Sequence, residues 1–453
     1  MDGRESPATG RRLRRAAALL AAVAGLLPAG PAGAAERPNF VHILTDDQTV
    51  DSLAYMPRTQ VTLGLDGTTF ANHHAVQPLC CPSRASFLTG QYPHNHGVLN
   101  NLPPFGYDRL NFKRTIYTAL HRDGYRTGWI GKLLNDPQAH GIRPEPGFDE
   151  WFIPLGQSEL FMSDFQVSDN GLIRDYADTY QTTLYAERTF DFLSEPSRAP
   201  FMLTISLSSP HWNRCETGEV GVHCPPQPDP ADLGTFAGEP FPIDDPSIDP
   251  AERVVADEYW ARELESMQSV DRVVGYVVDQ LRRRGELDNT YVILQSDNGL
   301  LHGEHDVPFD KNVPWDRSVR VPLMIRGPGF QGGQIRTDLT ANVDVPATIL
   351  DAAGVDPPRP PDGYSLLGKH RRRFLLLERL IGSSGPSADQ PWRQVKTAGG
   401  WTYWREQRSG RRYLFDLEHD PLQLDNRVRE LPRRAQRMQR LLNEFRGCRN
   451  PCP

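Results

Sequence analysis

Five short apolar runs, separated by stretches with helical spacing, constrain the fold of this 453-residue chain most strongly. The runs lie at residues 39–44, 126–130, 201–207, 291–295 and 322–326. Each has the length and near-continuous apolar character of a strand buried on both faces. Helical patterns occupy residues 117–123, 252–284 and 344–353. Strands and helices that alternate in this way predict an α/β fold, in which helices cover both faces of a mostly parallel sheet.

The region after a proline cluster at residues 357–361 has a different pattern. Four strand-like runs, at 374–377, 393–398, 401–406 and 412–417, are separated by turn-forming residues, and a helical pattern covers 431–445. Such runs predict a small antiparallel sheet with a terminal helix packed on it. We therefore expect a large domain over residues 36–362 and a C-terminal subdomain over residues 363–453.

The N-terminal segment predicts export. Arginines at positions 11, 12, 14 and 15 precede an apolar stretch, residues 16–27, that is too short to span a bilayer comfortably. A small-residue cleavage site follows at residues 32–34, so residues 1–35 are predicted to be a signal peptide, by a route that the sequence leaves open. No later segment is apolar for long enough to cross a membrane. We expect a secreted or periplasmic protein.

Cysteine spacing and charge agree with that location. Cys215 and Cys224 lie close together, as do Cys448 and Cys452, and both pairs could form local disulfides in an oxidising compartment. The net charge is −7. The basic residues are scattered along the sequence, which argues against nucleic acid as a partner.

Polar and charged side chains follow four of the five predicted strands. They are Asp46 and Asp47, Lys132, His211, and Asp297 and Asn298. Ligands of open α/β sheets bind at the carboxyl ends of the strands. The convergence of chemically active groups at these ends therefore predicts an enzyme.

Two of these strand ends carry adjacent oxygen donors. Asp46 and Asp47 would repel each other unless a cation lies nearby, and Asp297 and Asn298 supply two more oxygens. An all-oxygen set of this kind suits Ca²⁺ or Mg²⁺ rather than zinc. The alternative is that the aspartates cap a helix and that residues 297–299 form a turn.

The segment Cys80-Cys81-Pro82-Ser83-Arg84, followed by Leu88-Thr89-Gly90, carries the most specific signal. Pro82 suits the first turn of a short helix, which places Cys80 where free N–H groups favour anions. Arg84, one turn further on, could reach back to residue 80. The alternative is that Cys80 is a small buried hydrophobe. The string resembles the type I sulfatase signature, Cys-x-Pro-Ser-Arg-x-x-x-Leu-Thr-Gly, at every defined position.

This resemblance implies an alkaline-phosphatase-like fold and a modified nucleophile. Cys80 would be oxidised to formylglycine by a formylglycine-generating enzyme, and Cys81 would remain buried and unpaired. One hydroxyl of the hydrated aldehyde would attack sulfur, and the other would then expel sulfate. The resemblance also implies Ca²⁺, in preference to Mg²⁺, bound by residue 80 together with Asp46, Asp47, Asp297 and Asn298.

Further residues take roles by the same resemblance. Lys132 and Lys311 match the sulfate-binding lysines of the family, and His211 matches the histidine that contacts sulfate and protonates the leaving alcohol. The alternatives are a solvated surface charge for Lys311 and a loop residue without a task for His211.

Residues 92–96, which include His94 and His96, resemble the N-acetylglucosamine-6-sulfatase and extracellular heparan endosulfatase branch. Either histidine could line the substrate cleft or serve as a turn residue. His302, beyond Asp297 and Asn298, is a weaker candidate that we expect behind the ligands.

These observations favour hydrolysis of sulfate monoesters on a sulfated small molecule or glycan, with a group similar to glucosamine-6-sulfate. The alternatives are an aryl sulfatase, or a phosphatase or phosphonate monoester hydrolase of the same superfamily. If Cys80 is unmodified, a third hypothesis is that the protein is a sulfated-glycan-binding module without turnover.

Overall fold

The computed structural model describes residues 37–135, 142–156, 158, 161–214, 223–307, 309–382 and 390–452. The strands are β1 (Asn39–Thr45), β2 (Thr68–Phe70), β3 (His73–His74), β4 (Arg126–Gly131), β5 (Glu150–Pro154), β6 (Phe165–Asp169), β7 (Leu172–Tyr176), β8 (Phe201–Ser206), β9 (Asn213–Arg214), β10 (His223–Cys224), β11 (Thr290–Ser296), β12 (Leu323–Arg326), β13 (Gln334–Arg336), β14 (Thr340–Ala341), β15 (Phe374–Arg379), β16 (Trp392–Thr397), β17 (Trp401–Glu406) and β18 (Arg412–Asp416). The α-helices are α1 (Pro57–Thr59), α2 (Cys80–Thr89), α3 (Pro93–His96), α4 (Ile116–Arg122), α5 (Gln181–Ser194), α6 (Pro250–Arg284), α7 (Asp316–Val319), α8 (Asp344–Ala353) and α9 (Pro432–Glu444).

The main sheet has a parallel centre that is joined to each flank by an antiparallel pair of strands. Within the described residues it has ten strands, in the order β13-β2-β12-β11-β1-β8-β4-β5-β6-β7. The run β11-β1-β8-β4-β5 is parallel throughout, whereas β12 and β6 pair antiparallel with the strands beside them. The predicted mostly parallel α/β sheet is thus confirmed. The four strands whose ends carry the predicted polar groups, β11, β1, β8 and β4, lie side by side in the parallel centre.

Helices cover both faces of this sheet, because successive side chains of a strand point to opposite faces. Phe40 and Leu44 of β1 belong to a buried cluster with side chains of α2, α4 and α8. Val41 and Ile43 of the same strand belong to a second cluster, with α5 and α6. These two cores confirm the predicted three-layer arrangement.

The small C-terminal sheet is also present. The strands β15, β16, β17 and β18 pair antiparallel in sequence order. Ala435, Met438 and Leu442 form the buried stripe of α9, which packs on β16 and β17. Residues 38–453 form one compact unit, so the proposed boundary at residue 362 stays a prediction.

The predicted Cys448–Cys452 disulfide is formed. The other predicted pair involves Cys215, which lies outside the described residues, as does the predicted signal peptide over residues 1–35. Among the helices of the described part of the chain, none is long and apolar enough to cross a membrane.

Candidate active site

The ends of β1 and β11 bring the two pairs of oxygen donors together. These strands pair in parallel along their whole length, so the residues that follow them are neighbours. The backbone N–H of Asp47 donates to Oδ1 of Asp297 at 3.3 Å. The side-chain amide of Asn298 donates to Oδ1 of Asp47 at 2.5 Å. Asp47 adopts a positive φ of 66° at this bend, a conformation that aspartate tolerates better than most residues.

Cys80 lies buried at the first residue of α2, against this cluster. Its Sγ is 3.2 Å from Nζ of Lys311 and 3.7 Å from Nζ of Lys132. It is also 3.7 Å from Oδ1 of Asp46. The Sγ atom of Cys80, the predicted nucleophilic residue, thus lies between two ammonium groups, at the N-terminal end of a helix.

Arg84 connects α2 to the strand ends. Its Nε donates to Oδ2 of Asp297 at 2.7 Å, and Nη2 donates to Oδ2 of Asp46 at 3.1 Å. Nη1 donates to the carbonyl oxygen of Lys132 and to Oγ of Ser206, both at 2.7 Å. The guanidinium therefore holds β1, β4, β8 and β11 in fixed positions around residue 80.

Charges of opposite sign alternate in this buried site. Nζ of Lys132 is 2.5 Å from Oδ2 of Asp46, and Nζ of Lys311 forms an ion pair with Asp47. Burial alone would raise the pKa of Asp46, but Lys132, His211 and Arg84 hold it well below its usual range. Burial, together with Asp46, raises the pKa of Asp297 to about 6.

The thiol of Cys80 is not a thiolate at neutral pH. Burial raises its pKa to about 11, and the carboxylate of Asp46 contributes in the same direction. Because the thiolate rather than the thiol is the nucleophile, an unmodified Cys80 would react poorly. The contacts of Cys80 with the described residues therefore favour the neutral thiol.

Two buried oxygens of the site lack hydrogen-bond partners among the described residues: Oδ2 of Asp47 and Oδ1 of Asn298. Leaving such groups unsatisfied is costly, so each calls for a partner. One donor atom from each of Asp46, Asp47, Cys80 and His211 lies within 4.8 Å of the others. The residues present therefore fit a divalent cation, and the carboxylate and amide oxygens favour a hard one.

His211, in the segment after β8, borders the same carboxylates. Its Nδ1 lies 2.8 Å from the carbonyl oxygen of Trp212, which can only accept, so Nδ1 carries a proton. Its Nε2 lies 3.6 Å from Oδ2 of Asp47. Burial lowers the pKa of His211 to about 4 despite the nearby carboxylates, so the ring is neutral at neutral pH and presents a lone pair to the site.

Cys81 is free and buried, as predicted. Its Sγ accepts a hydrogen bond from the backbone N–H of Asn135 at 3.1 Å, and its own N–H donates to Oδ1 of Asn101 at 2.9 Å. The two adjacent cysteines thus have different surroundings, and Cys80 is the one that faces the lysines.

The sequence left two roles open for His94 and His96, and their contacts in the structure are those of turn residues. Nδ1 of His94 lies 2.5 Å from Oε1 of Glu378, and its Nε2 lies 2.9 Å from the carbonyl oxygen of Cys448. Nε2 of His96 lies 3.1 Å from Oγ of Ser86, and Nδ1 of His96 accepts a hydrogen bond from the backbone N–H of Val98. Both ring nitrogens of each histidine are engaged in holding α3, which leaves neither for a ligand.

His302 lies behind the carboxylates, a position compatible with the expectation. Its Nε2 is 3.0 Å from Oε2 of Glu263, a residue of α6. Oε1 of the same carboxylate accepts from Oγ1 of Thr49 at 3.0 Å. His302 thus supports the segment that follows β1.

Three polar residues to which the sequence analysis gave no role of their own also build the site. Oγ of Ser83 donates to the carbonyl oxygen of Asp297 at 2.5 Å and accepts from the amide of Asn342 at 2.9 Å. Ser206 accepts from Arg84. Ser206 ends β8, so the strand-end rule could have found it, whereas Asn342 follows a two-residue strand that has no clear sequence signal.

The family model and the curated relatives agree on one family. The family model described as Sulfatase matches residues 38–355. Human N-acetylglucosamine-6-sulfatase is 33% identical over 366 residues, which cover 75% of this chain and 65% of that protein. The extracellular sulfatase SULF-1 homolog of Drosophila melanogaster is 34% identical over 356 residues, which cover 73% of this chain and 31% of that protein. The chain thus spans less than two thirds of the length of these relatives.

Among solved structures, a protein in complex with its substrate D-glucosamine-2-N,6-O-disulfate superposes with a TM-score of 0.76. That alignment covers 90% of this chain and 97% of the other at 22% identity, and it therefore supports the fold.

Proposed function

The chain belongs to the sulfatase family, and from that premise we propose that it hydrolyses sulfate monoesters on sulfated carbohydrate. The group we favour is a 6-sulfate on a glucosamine residue. Relatives named as N-acetylglucosamine-6-sulfatases support that choice, as does the fold shared with the protein that binds glucosamine disulfate.

One observation carries the proposal. Residue 80 lies within 3.7 Å of two buried lysines and of a carboxylate, at the start of a helix. A sulfate group beside residue 80 would meet both ammonium groups and the N-terminal end of α2, all of which stabilise negative charge.

We infer the following roles for residues of this chain. Lys132 and Lys311 bind the sulfate oxygens and stabilise the charge that develops on them as the ester bond breaks. Arg84 fixes the strand ends that carry the carboxylates. His211 lies at the edge of the carboxylate cluster; a bound sulfate anion would raise the pKa of its ring, and Nε2, protonated from solvent as the substrate binds, would then donate that proton to the leaving alcohol. The buried position of the whole set excludes water that would compete for these charges.

Two groups complete the site in this proposal. Cys80 is converted to formylglycine by a formylglycine-generating enzyme of the host, and its hydrated aldehyde supplies the hydroxyl nucleophile. Asp46, Asp47, Asp297 and Asn298, together with residue 80, would hold Ca²⁺, which would lower the pKa of a nearby hydroxyl group and stabilise negative charge on oxygen. Ca²⁺ is favoured over Mg²⁺ because it accepts larger and less regular sets of oxygen ligands.

The proposed setting is outside the cytoplasm. Relatives named as extracellular sulfatases support export, and so does the disulfide at Cys448–Cys452. A sulfated glycan is then the substrate to be expected in that compartment.

The proposal is tested by turnover of four substrates with protein secreted from its own host. They are N-acetylglucosamine-6-sulfate, a sulfated oligosaccharide, an aryl sulfate and an aryl phosphate. We expect the highest kcat/KM on a 6-sulfated sugar. Preference for the aryl phosphate would instead indicate a phosphatase or phosphonate monoester hydrolase, and preference for the aryl sulfate an aryl sulfatase.

Mass spectrometry of the peptide that contains residue 80 belongs to the same experiment. An aldehyde at that position is expected. An intact thiol, with sulfated sugar bound and no sulfate released, would contradict the proposal in favour of a binding module.

A further inference from the structure

The charge of this chain is divided unevenly between its two parts. Residues 363–453 contain 19 Lys and Arg and 9 Asp and Glu, a net charge of +10. Residues 36–362 contain 26 Lys and Arg and 46 Asp and Glu, a net charge of −20. The expectation that the basic residues are scattered is therefore wrong for the C-terminal part. Such an asymmetry steers a polyanion toward one end of a protein.

A row of arginines crosses the C-terminal sheet. Arg393, Arg405 and Arg412 occupy directly opposite positions on β16, β17 and β18. Arg393 has a carboxylate partner, Glu378, at 3.4 Å. Among the described residues, Arg405 and Arg412 have none within ion-pair distance. Like charges directly opposite each other destabilise a sheet, so an anion bound between these arginines would be stabilising.

A cavity of about 220 Å³ lies over two of these arginines. Arg393 and Arg405 line it from the sheet, and Arg446, just beyond α9, lines it from above. Gln439 and Asn443 add amide groups to its wall, and no acidic side chain is among its described lining residues. The cavity therefore offers three guanidinium groups and two amides to a single anionic ligand.

A larger cavity, of about 420 Å³, lies on the other flank of α9. Arg373, Arg434 and Arg437 line it, again without an acidic side chain among the described lining residues. The guanidinium of Arg434 stacks 3.7 Å from the ring centre of Trp401, which with Phe374 forms an apolar wall. Arginines beside aromatic rings suit a ligand that has both sulfate groups and the apolar faces of sugar rings.

Both cavities lie on the sheet face that carries α9, which is opposite to the face toward the candidate active site. Arg393 and Thr397 of β16 line the cavities. The alternate residues Trp392 and Gln394 donate hydrogen bonds to the carbonyl oxygens of Asn312 and Pro314, next to Lys311. Because strand side chains alternate, the cavities belong to a second surface of the molecule.

We propose that this surface, the α9 face, is an exosite that binds sulfated polysaccharide. The α9 face is defined by Arg373, Arg393, Arg405, Arg412, Arg434, Arg437 and Arg446. It holds a sulfated chain while the active site, which is surrounded by a negatively charged domain, acts on an ester of that chain. The choice of ligand rests on the proposed function. Binding a second part of the same polymer raises the effective concentration of its sulfate esters at the active site.

Other polyanions fit this surface less well. An anionic membrane would be bound through exposed apolar side chains together with the charges, but the large apolar residues of α9 are turned into the subdomain. Double-stranded DNA presents its phosphates on a convex backbone, whereas each set of three arginines here lines a concave cavity. A flexible sulfated chain can enter both cavities.

The test uses the full chain with Cys80→Ala, so that binding is measured without turnover. The α9 variant carries Arg434→Gln, Arg437→Gln and Arg446→Gln, and its matched control carries Arg122→Gln, Arg198→Gln and Arg283→Gln, three exposed arginines of the large domain. We expect the α9 variant to bind immobilised heparin about tenfold more weakly and with a smaller salt dependence, and the control to bind like the parent. Equal weakening in both would overturn the exosite.

A second variant, Arg405→Gln with Arg412→Gln, separates binding from a structural role. Because it removes like charges from opposite positions, its Tm is expected to equal or exceed that of the parent while heparin binding falls. Stronger α9-dependent binding of duplex DNA or of phosphatidylserine vesicles than of heparin would also overturn the proposal.

Activity measurements with unmutated Cys80 then test the exosite and the proposed sulfatase activity separately. The α9 variant should keep its kcat/KM on a monosaccharide sulfate and lose affinity, as a higher KM, for the polymer. Loss of turnover on every substrate in the parent protein would count against the proposed function, while the heparin result would still decide the exosite.

Discussion

At the residue scale, the site is a balanced set of buried charges. Three acidic side chains form buried ion pairs with three basic ones: Asp46, Asp47 and Asp297 with Arg84, Lys132 and Lys311. Burying any one of these charges without its partners would cost several kcal/mol of desolvation free energy. Balance of this kind explains why the sequence places acidic and basic residues at the ends of adjacent strands. It also means that changes to neutral members of the site give cleaner tests than changes to charged ones.

The two adjacent cysteines allow a direct test of the nucleophile. Cys80→Ala should lower kcat by at least about 10³-fold, because it removes the reacting atom. Cys81→Ala should leave kcat within about threefold, because Cys81 contacts Asn135 and Asn101 rather than the lysines. Steady-state turnover of a sulfate ester measures both. Equal loss in the two variants would show that the assignment of Cys80 is wrong.

Asn298 offers a test of the metal site that leaves the ion pairs intact. Its Oδ1 is buried without a partner among the described residues, so Asn298→Ala removes a proposed ligand oxygen but no charge. We expect the affinity for Ca²⁺ to fall by at least about tenfold. Metal analysis after dialysis, and the rise in Tm on adding Ca²⁺, measure this independently of activity.

Ser206→Ala is the matched control for that variant. It removes another neutral polar group of the site, one that accepts from Arg84 and has no predicted role as a ligand. Calcium content in Ser206→Ala should match the parent. A full calcium content in Asn298→Ala as well would remove Asn298 from the ligand set.

At the element scale, the sequence predicted the elements that carry strong periodicity. The central strands, α6, α8 and the C-terminal sheet agree with the predicted bounds to within two residues. The longer elements that the sequence analysis missed are β5, β6, β7 and α5, and, apart from β12, the strands and helices of two to four residues were not predicted either. The exposed pattern of β7, an edge strand, gives no alternation to detect, and α5 carries threonines and aromatic residues of modest helix propensity.

The site was predicted in part for the same reason. Strand-end residues and the motif at residues 80–90 follow from position along the chain, and the structure brings them together. The contacts of Ser83 with Asn342 join residues more than 250 positions apart, and no local pattern encodes such a pair. The sequence left two roles open for His94 and His96, because no local pattern shows that their rings contact the C-terminal part and α2.

The contact between His94 of α3 and Glu378 of β15 makes the attachment of α3 to the C-terminal sheet depend on pH. Burial lowers the pKa of His94, but the contact with Glu378 raises it by a larger amount. The pKa in the folded protein is therefore above its usual value of 6.5. Such a group stabilises the fold fully below its unfolded pKa, and the stabilisation is lost as pH rises through the folded pKa. His94→Gln should therefore destabilise the protein more at pH 5.5 than at pH 9, by denaturant titration.

His121→Gln controls for the loss of a histidine in general. His121 pairs with Asp149 on an exposed surface, where ion pairs contribute little. Its effect on the free energy of unfolding should be small at both pH values. A pH-independent cost for His94→Gln would mean that the His94–Glu378 contact does not depend on a charged ring.

At the scale of the whole molecule, the two faces of the C-terminal sheet make different contacts. One face carries α9 and the proposed exosite. The other face holds the segment next to Lys311: Nε1 of Trp392 donates to the carbonyl oxygen of Asn312 at 3.0 Å, and Nε2 of Gln394 donates to that of Pro314 at 2.8 Å. The C-terminal part is thus a support for the active site as well as a separate surface.

Trp392→Phe tests that support, because it removes the N–H donor and keeps an aromatic ring in the core. The loss of one hydrogen bond should cost about 1 kcal/mol of stability, too little to unfold the chain. A looser Lys311 should bind sulfate less well and stabilise the transition state less, so kcat/KM should fall by about tenfold. Tyr403→Phe is the control, since Tyr403 donates to Gln439 on the α9 side of the same sheet, at 2.8 Å. It should lose similar stability and keep its kcat/KM, and an equal loss of activity in both variants would show that the sheet acts on the site only through overall stability.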